Sequence, residues 1–338
     1  MNLELAEKVA NAILYEGYML YPYRPSALKN RQRWSLGILY PPDYDEVRAR
    51  TEGSRMHSEC VAVANSKARL QVQLRFLHLL ARQVMESTDG GLKPVPSLAV
   101  DGRIAESWDE ATERSVEVET LVPGVATTSC FRFAARDESE PLRDASCRVL
   151  GRVNRTQQEI TGAVTLLSQK IGGNTLKIAI DATNETFLPA DARNRSDALL
   201  RSMLSAHVIV RLEGGEFISL LEPPEQFREA VDSCKNVGNF PVLIGEPGAR
   251  DTLLCSPIVL YDYPQVAPES AGDFFDATEI DEMLTLRLMT LTDEEKREMR
   301  FADDRARSLL QRTEENARQQ LQRTHGVIRS LRPVREAP

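Results

Sequence analysis

The stretch Gly162-Ala-Val-Thr-Leu-Leu-Ser-Gln-Lys-Ile-Gly-Gly-Asn-Thr-Leu-Lys-Ile-Ala-Ile-Asp-Ala182 decides the fold class. Its two apolar-rich runs, Gly162 to Ile171 and Leu176 to Ala182, flank Gly172-Gly173-Asn174. Gly and Asn tolerate the positive φ of a tight turn, so the reading is a β-hairpin. Toward the C-terminus, Met203 to Leu212 and Glu216 to Leu220 flank Gly214-Gly215 and predict a second hairpin of the same type. Toward the N-terminus, Val116-Glu-Val-Glu-Thr-Leu-Val122 alternates apolar and polar residues, and Thr128 to Phe133 follows. Glu59 to Ala64 and Leu70 to Leu80 read as further strands. In the second of these Leu70, Val72, Leu74 and Phe76 alternate with Gln71, Gln73, Arg75 and Leu77. Trp34 to Tyr40 predicts a strand ended by Pro41-Pro42, and Phe240 to Gly245 and Thr252 to Leu260 predict short apolar strands. Strands in series with turn signals between them, and no helix-length apolar pattern, point to a β-sandwich.

Helices are expected at the two ends. Leu5, Val9 and Ile13 recur at four-residue spacing and predict a helix from Leu3 to about Glu16, with Gly17 as its stop. Pro223 to Val231 reads as a short helix, its prolines at the start. Thr278 to Leu291 carries Ile280, Leu284 and Leu288 on one stripe. Thr292-Asp-Glu-Glu295 is a capping box that opens a long polar helix to about Arg323. The basic tail beyond it is expected to be mobile. The expected fold is therefore α+β: a central antiparallel β-sandwich with an N-terminal helix and a C-terminal helical arm. Glu86 to Pro96, with Gly90-Gly91, Pro94 and Pro96, reads as a loop or boundary. It divides the chain into an N-terminal region (1–95), a sandwich-like region (96–290) and the polar helix with its tail (291–338).

Composition narrows the function classes. In 338 residues, 42% are hydrophobic and 27% charged, enough for a sizeable core. Lys plus Arg is 42 against 50 for Asp plus Glu, a formal charge of -8 that argues against a general nucleic-acid binder. No apolar run approaches the roughly 20 residues of a membrane span. The opening MNLELAEKVANAI has acids where a signal peptide carries basic residues, so a cytoplasmic protein is expected. The cysteines, Cys60, Cys130, Cys147, Cys234 and Cys255, are scattered and odd in number, which reads as reduced thiols.

Three stretches could carry chemistry. Six of the eight tyrosines fall between Tyr15 and Tyr44. Tyr18, Tyr21, Tyr23, Arg24, Arg33 and Trp34 make a candidate partner-binding surface, because Tyr, Trp and Arg dominate binding hot spots. The competing reading puts these rings in the core. His57-Ser-Glu-Cys60 offers an imidazole, a carboxylate and a thiol, but a zinc site normally needs four such ligands. An ordinary strand with a buried Cys is the reading preferred over a Cys–His nucleophile pair. Between Asp262 and Glu282 lie seven carboxylates in 21 residues. Asp273, Asp276, Glu279 and Glu282 are candidate ligands for a hard cation, though helix capping and salt bridges explain them as well. No Walker loop, GxGxxG, GxSxG or HExxH is present.

Two long motif blocks carry a resemblance. Tyr15-Glu-Gly-Tyr-Met-Leu-Tyr-Pro-Tyr-Arg-Pro-Ser-Ala-Leu-Lys-Asn30, with Arg33-Trp34 after it, is one. Ser256-Pro-Ile-Val-Leu-Tyr-Asp-Tyr-Pro-Gln-Val-Ala-Pro-Glu-Ser270, continued by Asp276 to Glu282 and Leu291 to Arg297, is the other. They resemble a conserved, uncharacterised bacterial family encoded beside uptake nickel–iron hydrogenases of the actinobacterial, oxygen-tolerant type. The resemblance implies a non-catalytic accessory protein for hydrogenase assembly or maturation. Its partners would be hydrogenase subunits or maturation factors, and no cofactor is expected. A metal-dependent enzyme using residues 262–282 is the alternative, and a structural subunit that oligomerises through 292–323 is a third. The residues leave enzyme and binding protein both open.

Overall fold

The computed structural model describes residues 2–14, 36–49, 53–192 and 194–264. These residues are mostly antiparallel β-sheet, sandwich-like, with few helices. The expected C-terminal helices and basic tail lie outside the described residues.

One strand organises the molecule. β1 (Arg55–Thr88) runs for 34 residues where two shorter strands are expected. Its first half pairs with β10 (Thr175–Asn184), from Arg55↔Thr183 to Val63↔Thr175. Its second half pairs with β5 (Trp108–Val122), from Ala68↔Val122 to Arg82↔Trp108. β11 (Leu204–Ile218) lies along the opposite edge of both halves. The change of neighbour falls at an irregularity between Ala64 and Arg69, where Asn65 turns back to accept a hydrogen bond from the Lys67 amide at 2.9 Å. A bulge of this kind bends a strand without ending it, so β1 serves both parts of the sheet.

The remaining strands extend this frame. β9 (Ile160–Gly172) and β6 (Thr127–Phe133) continue from β10, and β13 (Thr252–Ser256) and β12 (Phe240–Leu243) from β11. β8 (Val149–Gln157) pairs with the end of β1, and β7 (Arg136–Arg143) with β8. β2 (Gly91–Val95) folds back on β1, and β3 (Ser97–Val100) with β4 (Arg103–Glu106) forms a separate two-stranded ribbon. The alternation of β1 and β5 faces Leu70, Val72, Leu74, Phe76 and Val118 into the main core, with Ile178, Ile180, Val208 and Val210 from β10 and β11. Phe76, Phe131 and Phe133 close one end of it, their ring centroids 5.8–6.2 Å apart.

The hairpin expected at Gly172-Gly173-Asn174 is present, with Gly173 at φ 50°. The one expected at Gly214-Gly215 is not: both flanking runs belong to β11, because both pair with β1. Gly214 takes φ 80° beside the Asn65 irregularity, so the glycines serve a bulge rather than a turn. Glu86 to Pro96, expected as a loop, is the β1–β2 hairpin: Thr88 pairs with Gly91 around Asp89-Gly90, and Pro94 sits opposite Met85. Asp-Gly is a preferred two-residue turn, and an edge strand tolerates proline. The boundary expected near residue 95 falls between β2 and β3, and strands on both sides of it share one sheet with β1. In the expected strand Trp34–Tyr40, the described part makes only a single bridge, Leu39 to Met203.

The N-terminal helix α1 (Asn2–Leu14) forms as expected. Val9 of the predicted stripe is buried, together with Ala6 and Ala10, against Ile209, Val242, Ile244 and Leu254. Short helical turns at Asp45–Arg48, Arg195–Leu199 and Glu225–Asp232 complete the described chain. No helix among the described residues is long and apolar enough to cross a membrane.

Candidate functional site

On the outward face of the β1–β10 pair, residue parity sets four charged or titratable groups in a row. His57 and Glu59 point outward from β1, and Asp181 and Lys177 from β10, while Met56, Cys60, Ile178 and Ile180 point into the core. His57 lies directly opposite Asp181, and its Nδ1 is 2.9 Å from the Asp181 carboxylate. Nε2 faces the Glu59 carboxylate at 3.6 Å. The other Glu59 oxygen accepts from Lys177 Nζ at 2.7 Å. Carboxylates and nitrogen groups thus alternate along the row: Asp181, His57, Glu59, Lys177.

This row is covered by the segment Ser233 to Asn239. Lys177 Nζ donates to the Ser233 carbonyl at 2.8 Å, and the Lys235 amide donates to Glu59 at 2.7 Å. Asn236 accepts from the Glu59 amide, and Val237 exchanges two backbone hydrogen bonds with His57. Asn239 accepts from the Ser58 hydroxyl at 2.6 Å and donates to the His57 carbonyl. Burial pushes the Glu59 carboxyl up, but the bonds from Lys177 and the Lys235 amide outweigh it and hold the group below its usual range. The arrangement satisfies the edge of β1 that β11 does not reach, and its chemistry is that of a clamp.

The stretch His57-Ser-Glu-Cys60 is therefore split. Residues three apart on a strand point to opposite faces, so His57 lies largely covered among carboxylates on the outward face and Cys60 is buried in the core. Burial, together with the nearby Cys255, Cys234 and Glu59, pushes the Cys60 thiol far up. Cys255 is also buried and pushed up to about 12, against a hydrogen bond from Ser58 that favours the thiolate. Neither thiol is available as a thiolate nucleophile near neutral pH. The five cysteines are free.

Asp262 is the one acid of the 262–282 stretch among the described residues. Both its oxygens hold structure: one accepts from Ser219 Oγ at 2.5 Å, the other from the Leu243 amide at 2.8 Å. Asp273, Asp276, Glu279 and Glu282 lie outside the described residues, as do Tyr18, Tyr21, Tyr23, Arg24, Arg33, Trp34 and the helix expected over 292–323. Of the other tyrosines in the cluster, Tyr40 and Tyr44 are buried and stacked with centroids 4.8 Å apart. Among the described residues no group of three His, Cys, Asp or Glu side chains is gathered to hold a metal ion.

Sequence reasoning singled out His57 and Glu59 but missed Lys177 and Asp181. The signal was present: Lys177, Ala179 and Asp181 alternate with Leu176, Ile178 and Ile180 on one half of the opening hairpin. What alternation could not supply is the register that sets Asp181 against His57. No protein-family model and no curated protein matches the chain.

Proposed function

We propose that the protein is a non-catalytic accessory factor for the assembly or maturation of a nickel–iron hydrogenase, acting in the cytoplasm through protein–protein contacts. The observation that carries the non-catalytic part is the use made of the reactive side chains. His57, Glu59, Lys177 and Asp181 are spent on one another and on clamping Ser233 to Asn239. Cys60 and Cys255 are core thiols. The hydrogenase part rests on the resemblance of the Tyr15–Trp34 and Ser256–Arg297 blocks. In this reading the β-sandwich is a rigid carrier. The tyrosine-rich segment and a C-terminal helical arm from Thr292 are its contact surfaces, and the arm is also where copies of the chain would associate.

The test is co-purification with hydrogenase subunits from cells that make them, comparing wild type with the Tyr21→Ala, Tyr23→Ala double variant. Capture of a hydrogenase subunit or maturation factor is expected, with binding weakened by at least ~2 kcal/mol in the variant and an unchanged melting temperature. A collapsed melting temperature would place the tyrosines in the core. A stoichiometric metal with turnover of a small substrate would overturn the accessory role.

A further inference from the structure

The inward face of β1 is apolar from Leu70 to Phe76 and turns polar at His78. Five strands bring side chains to this end of the core. Arg114 of β5 lies opposite Phe76, and Thr112 opposite His78. Gln157 ends β8, with Arg136 of β7 opposite it, and Phe133 ends β6. Gln157 Nε2 reaches Thr112 Oγ1 at 3.2 Å and the His78 carbonyl at 3.3 Å. The amide of Gln157 is thereby held with its oxygen toward Arg114, which donates to it through Nη2 at 2.9 Å. The Arg114 guanidinium carbon lies over the Phe133 ring, 4.7 Å from its centroid.

These contacts hold the guanidinium in place and leave its charge unanswered. Neighbouring arginines of the sheet are matched. Arg82 meets Glu110 at 3.2 Å, Arg155 meets Glu110 and Glu140 at 3.1 Å, and Arg75 meets Glu113 at 3.5 Å. No carboxylate among the described residues reaches Arg114, and its Nε is buried without a hydrogen-bond partner. The groups around it are cationic or neutral. Burial and then the nearby Arg136 charge both work against the Arg114 cation. Arg136 itself is held only loosely, by Glu138 at 3.4 Å. Among the described residues neither ring nitrogen of His78 completes a hydrogen bond, although the Gln158 carbonyl lies close enough to favour a proton there. A half-buried guanidinium normally has a carboxylate or another anion beside it, because desolvation is otherwise uncompensated. A planar fork pre-oriented by an aromatic ring and an amide is also the arrangement that receives an oxyanion through parallel N–H bonds.

We propose that Arg114, oriented by Phe133 and Gln157 and assisted by Arg136, is a receptor for a small oxyanion, a phosphate or a carboxylate. The anion takes guanidinium hydrogens that Gln157 leaves free, one of five being engaged there. It supplies the negative charge this end of the core lacks. The site is separate from the clamp at His57 and from the tyrosine-rich segment, and it does not depend on the accessory role.

Thermal melts and calorimetric titrations of the full chain test this, with sodium phosphate, sodium acetate and sodium chloride at matched ionic strength. Phosphate or acetate is expected to raise the melting temperature saturably, and chloride is not. Which of the two acts identifies the source of the oxyanion. Arg114→Lys keeps the charge and loses the fork, so it should bind about tenfold more weakly. Arg114→Gln should abolish the effect. Should Arg114→Gln fail to fold, Arg136→Gln on the exposed strand β7 should weaken binding several-fold with the fold intact. No saturable response to either anion in the wild type would overturn the proposal. So would equal responses in the wild type and the Arg114 and Arg136 variants.

Discussion

His207 shows how much one buried side chain can govern. It is fully buried on β11; Nδ1 is 2.8 Å from the Ser205 carbonyl, and Nε2 has no partner among the described residues. Burial, helped by the Arg75 charge, drives its pKa down from 6.5 to about 4. The unfolded chain takes up a proton near 6.5 and the folded chain does not. The group therefore contributes stability that is fully present above about pH 6.5 and is lost as pH falls toward 4. At 1.36 kcal/mol per unit the loss is roughly 3 kcal/mol. Denaturant unfolding of His207→Gln across that window should show a flatter decline than the wild type. An identical decline would mean that the imidazole charges without unfolding the protein. The cysteines divide by the same logic of burial. Cys130 and Cys147 are exposed and should react rapidly with a thiol reagent, while Cys60 and Cys255 should react only at the rate of unfolding. Fast labelling of Cys60 would reopen a chemical role for the His57–Cys60 stretch.

At the scale of an element, packing around β9 depends on a residue with no side chain. Gly162 lies between Phe131 of β6 and Asn184 of β10. A Cβ there would run into the Thr183 carbonyl and come within 2.7 Å of Met203 Cε and Phe131 Cζ. Gly162→Ala should therefore lower stability by about 1–3 kcal/mol, as overpacking does, measured by thermal or denaturant unfolding. A neutral outcome would mean that the Thr183 backbone, Met203 and Phe131 all give way freely. The sequence marked this strand correctly, and the hairpin that follows it, because alternation and a Gly-Gly-Asn turn are local signals. It misread Gly214-Gly215, since the same dipeptide suits a turn or a bulge, and only the common partner β1 separates the two. The continuity of β1 through Asn65 to Ala68 was hidden for the same reason.

At the scale of the molecule, every strand among the described residues lies between Arg55 and Ser256, and β1 ties most of them together. Deleting residues 292–338 should leave the β body folded, its melting temperature within about 2 °C of the full chain, while weakening self-association or partner capture. Loss of all soluble protein in that truncation would put the deleted residues in the core. By itself the sequence determined the β-rich class, the N-terminal helix, the free cysteines and, in the runs Leu70 to Phe76 and Val116 to Val122, which residues face inward. These follow from chain-local chemistry: period-two alternation, four-residue spacing, turn residues and thiol count. Only the tertiary structure decided which strand lies beside which, and so which outward residues meet. His57 against Asp181 is a matter of register between residues 124 apart in the chain. Arg114 gathered with Phe133, Gln157 and Arg136 comes from four strands separated along the chain, which only the folded sheet brings together. Pairing is set by long-range burial of the inward faces, and no local pattern encodes which partner that burial selects.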